Sequence, residues 1–75
     1  NEISFNVYPN PTSNTINLSS SQMIHSIYVE LFDCFGRLVM TSNSSQMDLG
    51  SLSQGTYFLV ATVNGKMLNY RVVKQ

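Results

Sequence analysis

Gly55-Thr56-Tyr57-Phe58-Leu59-Val60-Ala61-Thr62-Val63, then Asn64-Gly65, then Lys66-Met67-Leu68-Asn69-Tyr70-Arg71-Val72-Val73 is the stretch that decides the fold. Two runs rich in β-branched and aromatic residues flank the dipeptide that most strongly signals a two-residue type I′ turn, where both central residues take φ > 0. With Asn64 and Gly65 as the whole turn, Val63 faces Lys66, and the pairs Ala61/Leu68, Leu59/Tyr70 and Tyr57/Val72 follow outward. One face then carries Tyr57, Leu59, Ala61, Val63, Leu68, Tyr70 and Val72, interrupted only by the stem of Lys66. The other carries Phe58, Val60, Thr62, Met67, Asn69, Arg71 and Val73, a mixed surface that can meet water. A lone hairpin is marginal in water. The rest of the chain therefore has to supply a second apolar surface, and a small all-β sandwich is the simplest solution.

The chain has 75 residues, enough for one core and no second one. Cys34 is the sole cysteine, so neither an internal disulfide nor a cysteine-based metal site can stabilise it. Formal net charge is zero and 11% of residues are charged. That balance lacks the basic stripe a nucleic-acid backbone calls for. No apolar run approaches the twenty or so residues of a membrane-spanning helix. Low charge with abundant Ser, Thr and Asn is compatible with export. Asn1-Glu2-Ile3-Ser4 has neither an initiating methionine nor a basic leader and reads as a cut edge, either of an expressed fragment or of a larger precursor.

Alternation along Ile3-Ser4-Phe5-Asn6-Val7-Tyr8 predicts an edge strand with Ile3, Phe5 and Val7 inward. Pro9-Asn10-Pro11 ends it, because neither proline can donate to a ladder. Thr15-Ile16-Asn17-Leu18 predicts a second strand, and Ser19 to Ser26 a polar loop. Ile27 to Phe32 is the third, with Ile27, Val29 and Leu31 inward. Asp33-Cys34-Phe35-Gly36-Arg37 reads as a three-residue hairpin connection with Gly36 in the left-handed region of a G1 bulge. That register sets Leu31 opposite Val39 and Phe32 opposite Leu38 along a return strand from Arg37 to Thr41, with Asp33 and Arg37 as an exposed ion pair. Gln46-Met47-Asp48-Leu49 adds a short strand with Met47 and Leu49 inward. Leu52 folds back as a plug. The total is about seven strands.

The inventory for catalysis is thin. His25 is the only histidine and sits among loop serines, where it reads as a solvated side chain and not as a catalytic base. Glu2, Glu30, Asp33 and Asp48 fall in separate elements, and a calcium site from Asp33, Asp48 and loop carbonyls is a weak alternative. No cofactor is expected. Cys34 reads as a partly covered turn residue, with intermolecular oxidation as its functional alternative. Tyr8, Tyr28, Phe32, Phe35, Phe58 and Tyr70 suggest a sugar platform less well than core and cross-strand packing.

Four segments together carry a resemblance: Val7-Tyr8-Pro9-Asn10-Pro11-Thr12; Leu31-Phe32-Asp33-Cys34-Phe35-Gly36-Arg37-Leu38-Val39; Met47 through Gly55-Thr56-Tyr57 to Val60; and Val72-Val73-Lys74. In this order the chain resembles the type IX secretion C-terminal sorting domain of Bacteroidetes. The resemblance implies an immunoglobulin-like β-sandwich that follows an N-terminal cargo domain in an exported precursor. It also implies that the outer-membrane type IX translocon reads the domain, that a cell-surface sortase commonly removes it, and that it is no enzyme. The cargo would end at the cell surface or be secreted. Tyr8, Pro9, Asn10 and Pro11 match the first family motif, Gly36 and Arg37 the central turn, Gly55 and Tyr57 the third motif, and Lys74 the basic end, with Arg71, Val72 and Val73 beside it. Ser53-Gln54 and Tyr70-Arg71 depart from the family's usual pairs. An adhesion or carbohydrate-binding accessory module is the alternative. Two modes of recognition suggest themselves, docking of the folded sandwich and strand addition at Val72-Val73.

Overall fold

The computed structural model describes residues 4–75, so the inward placement expected for Ile3 lies outside the described residues. Seven strands form: β1 Phe5–Tyr8, β2 Thr15–Ser20, β3 Ile27–Phe32, β4 Leu38–Ser42, β5 Gln46–Asp48, β6 Gly55–Val63 and β7 Lys66–Lys74. They make two antiparallel sheets, ordered β1-β2-β5 and β4-β3-β6-β7. The result is the expected all-β, immunoglobulin-like sandwich.

The terminal hairpin has the expected register, from Val63 opposite Lys66 to Tyr57 opposite Val72. Asn64 and Gly65 take φ of 51° and 81°, which the type I′ turn demands. The Asn64 side chain also fixes the loop beside it: its Oδ1 accepts the backbone N–H groups of His25 and Ser26 at 2.7 and 3.0 Å, and its Nδ2 donates to Met23 C=O. Ile16, Leu18, Met47, Leu49 and Phe5 from the smaller sheet meet Val29, Leu31, Tyr57, Leu59, Ala61, Val63 and Val72 from the larger one. Leu52 packs against this core as expected. Tyr70 joins the sheets, its ring 5.6 Å from that of Phe5 and its hydroxyl donating to Phe5 C=O.

One register differs from expectation. Gly36 takes φ of 83°, and Phe32 pairs with Leu38, but Leu31 faces Met40 instead of Val39 because the ladder shifts between Leu31 and Phe32. Val39 is the extra residue of a second bulge. An inserted residue reverses the faces beyond it. Met40 thereby packs on the core while Leu38 and Val39 stay exposed.

Candidate functional site

The motif residues come from four separate parts of the sequence, and the strand registers bring them to one pole of the sandwich. Tyr8 ends β1, Arg37 precedes β4, Gly55 and Tyr57 open β6, and Lys74 closes β7 opposite Gly55. The Asn64-Gly65 turn and the 21–26 loop lie at the other pole, tied by the hydrogen bond from Asn64 N–H to Ser26 C=O.

Asn10 is the hinge of this arrangement. Its Nδ2 donates to Arg71 C=O at 2.8 Å, and its Oδ1 accepts the Val73 N–H at 3.0 Å. The side-chain amide thus imitates one rung of a β-ladder along the free edge of β7. Thr12 continues the imitation with backbone groups: its N–H donates to Val73 C=O, and its C=O accepts the Gln75 N–H. Pro9 and Pro11 fit such a segment, having no N–H to leave unpaired. Both of their preceding peptide bonds are cis. Thr12 is buried, its hydroxyl donating to Thr15 C=O and accepting the Asn14 N–H.

Strand addition at Val72-Val73, expected above as one mode of recognition, meets an edge that is already closed. Val72 pairs with β6 and sits in the core, and the outward N–H and C=O of Val73 are taken by Asn10 and Thr12. Lys74 is likewise not a free basic address. It is 8% exposed, and its Nζ donates to the carbonyls of Leu52 and Gln75. Of the basic residues near the end, Arg71 is the exposed one beside Lys66.

Gly55 opens β6 opposite Lys74, and Tyr57 secures the neighbouring loop. The buried Tyr57 ring enters the core while its hydroxyl donates to Ser53 C=O at 2.7 Å. Such back-bonding by a tyrosine is known from immunoglobulin-type sandwiches. Beside it opens a cleft of about 370 Å³ lined by Asp33, Phe35, Arg37, Leu52, Gly55 and Tyr57. Asp33 Oδ1 accepts the N–H groups of Phe35 and Arg37, and Oδ2 accepts Arg37 Nε–H at 2.8 Å. The hydrogen bond from the Arg37 backbone is the main cause holding this carboxyl below its ordinary value. The ion pair is lopsided, with the Arg37 side chain 75% exposed and that of Asp33 only 13%. Arg37 lies over the exposed Phe35 ring at 5.5 Å. Cys34, expected to be partly covered, is exposed, because it lies in the turn between β3 and β4, where its neighbours Phe35 and Gly36 are exposed as well.

Little else converges. His25 is an exposed loop residue. Among the described residues no group of three or more His, Cys, Asp and Glu side chains stands ready for a metal ion. Asp33 is committed to its turn, and Asp48 accepts the Gly50 N–H. Phe32 and Phe58 pair across β3 and β6, while Tyr8, Tyr28 and Phe35 are exposed in separate places. Sequence reasoning missed Thr12 and the carbonyl of Leu52 as partners of the motif residues. A single threonine after a turn and an anonymous backbone oxygen carry no pattern that would have marked them.

The distinctive side chains of this small sandwich gather at one pole, held there by hydrogen bonds to the backbone. No curated protein sequence matches the chain. The profile of the secretion system C-terminal sorting domain matches residues 6–75, and the chain belongs to that family. It is a family of type IX secretion signals and not of catalysts, and such a signal marks proteins for export across the outer membrane to the cell surface or beyond.

Proposed function

We propose that this chain is a single folded sorting domain, excised from a larger exported precursor, and that it is read as a surface and carries no activity of its own. The outer-membrane translocon and the cell-surface sortase are the proposed readers, and the cargo is the domain that precedes it. The observation carrying this reading is the convergence of Asn10, Arg37, Gly55, Tyr57 and Lys74 on one pole. Tyr8, Pro9, Pro11, Gly36, Val72 and Val73 support that pole, chiefly by shaping it. Arg37 and Phe35 are among the groups of this pole that face outward, with Tyr8.

Deleting Tyr70 to Gln75 would confound recognition with folding, since it removes the core residue Val72 and the half of β7 that pairs with Gly55 to Leu59. The discriminating experiment fuses this chain behind an exported reporter in a type IX-competent host and scores surface display. The wild-type fusion is expected at the surface, and Arg37→Gln is expected to lower display while leaving the far-UV circular dichroism melt intact. A wild-type fusion retained in the periplasm would overturn the proposal.

A further inference from the structure

Every sheet edge offers unpaired backbone groups, and proteins blunt them to avoid adventitious pairing. Here β1 has four residues and runs into Pro9, β5 has three, and β4 is bent by the bulge at Val39. The nine-residue β7 differs. Because Val63 and Lys66 close a two-residue turn, the even-numbered residues of β7 direct their N–H and C=O toward β6 and the odd-numbered ones away from it. Asn10 and Thr12 cover this outward row from Arg71 C=O onward. The outward groups of Met67 and Asn69, with the Arg71 N–H, have no hydrogen-bond partner among the described residues. Met67 is 68% exposed.

Charge selects the occupant. No Asp or Glu occurs from Leu49 to Gln75, whereas Lys66 and Arg71 flank the open row and are both exposed. On the outer face of this sheet Glu30 lies on β3, with β6 between it and β7. A second copy paired antiparallel about Asn69 would gather both cations from each molecule along one seam with no carboxylate to answer them. An extended segment bearing carboxylates meets the same edge with attraction. The shallow apolar depression between β6 and β7, lined by Phe58, Val60, Asn69 and Arg71, gives its outward side chains a place to rest.

We infer that the row from Met67 to Arg71 N–H is a strand-docking edge for an extended, carboxylate-bearing segment of the export machinery. This rests on the sorting reading above. Backbone hydrogen bonds supply the pairing, Lys66 and Arg71 select the partner, and the Asn10 latch sets where pairing stops.

The test uses the same reporter fusions. Asn69→Pro deletes one outward N–H at an edge position where proline is tolerated, and the double variant Lys66→Glu/Arg71→Glu reverses the charge without touching the backbone. Each is expected to lower surface display roughly tenfold with an unchanged melt. Should Asn69→Pro fail to fold, the charge-reversed double variant decides alone. Wild-type display with both variants displayed equally well would overturn the docking edge and leave the sorting reading standing; no display of the wild type would remove both. A dimer seen by analytical ultracentrifugation and abolished by Asn69→Pro would replace the acidic segment with a second copy and overturn the assignment.

Discussion

Replacing Asn10 by alanine removes two hydrogen bonds to the edge of β7, at 2.8 and 3.0 Å, and leaves the Arg71 carbonyl and the Val73 amide to water. Each such bond contributes about 0.5–1.5 kcal/mol net, and because Asn10 is exposed the lower part of the range applies, for a total of about 1–2 kcal/mol. For a domain of this size about 1.5 kcal/mol lowers the melting temperature by roughly 6–12 °C. Far-UV circular dichroism melts measure the shift, and amide hydrogen exchange locates it: Val73 is expected to lose protection while Val63, at the opposite pole, keeps it. Asn10→Asp separates the two bonds, since a carboxylate still accepts the Val73 N–H but sets an oxygen against Arg71 C=O. That variant should protect Val73 and still melt early. An Asn10→Ala protein melting within about 2 °C of wild type, with Val73 exchange unchanged, would refute the latch.

Tyr57→Phe removes the hydroxyl that holds Ser53 C=O and is expected to cost about 1 kcal/mol in denaturant unfolding, with faster proteolysis at Ser51 to Gln54. Leu59→Ala empties a fully buried site and costs about 2–5 kcal/mol; against a total of about 4–11 kcal/mol for a domain of this length, calorimetry should find it partly or wholly unfolded at 37 °C. Asp33 has a folded pKa below its unfolded one, chiefly through the Arg37 N–H. Its contribution is therefore present above the unfolded aspartate value and lost as pH falls through the lower folded one. Urea midpoints measured from neutral to acid should show Asp33→Asn less stable than wild type at neutral pH, with the gap closing as the carboxyl protonates.

Particular residues mark how far the sequence could be read. The Asn64-Gly65 turn and the alternation through Tyr57, Leu59, Ala61 and Val63 determine the hairpin register, because turn geometry and burial of one face act within a few residues. The same local rules yield β3 without error and the Gly36 turn. They do not reach the Val39 bulge, where either Val39 or Met40 satisfies an apolar inward position and only packing across the sandwich chooses Met40. Nor do they reach the candidate site. Resemblance marked Asn10, Val73 and Lys74, with Arg71 beside them as a departure from the family's usual pair. Asn10 nevertheless contacts Arg71 from 61 positions away, and a side-chain amide bonding a distant backbone leaves no periodic trace. Lys74 reads as an exposed basic end until Leu52 C=O is placed over its ammonium. Sequence alone determined the number and order of the strands, the terminal hairpin register and the family of this protein, since those depend on local pattern. β2 runs on through Ser19 and Ser20, read as loop, because β1 pairs with them. Tertiary structure decided which edge of β7 is latched and which is open, because that depends on where the first turn comes to rest against the last strand.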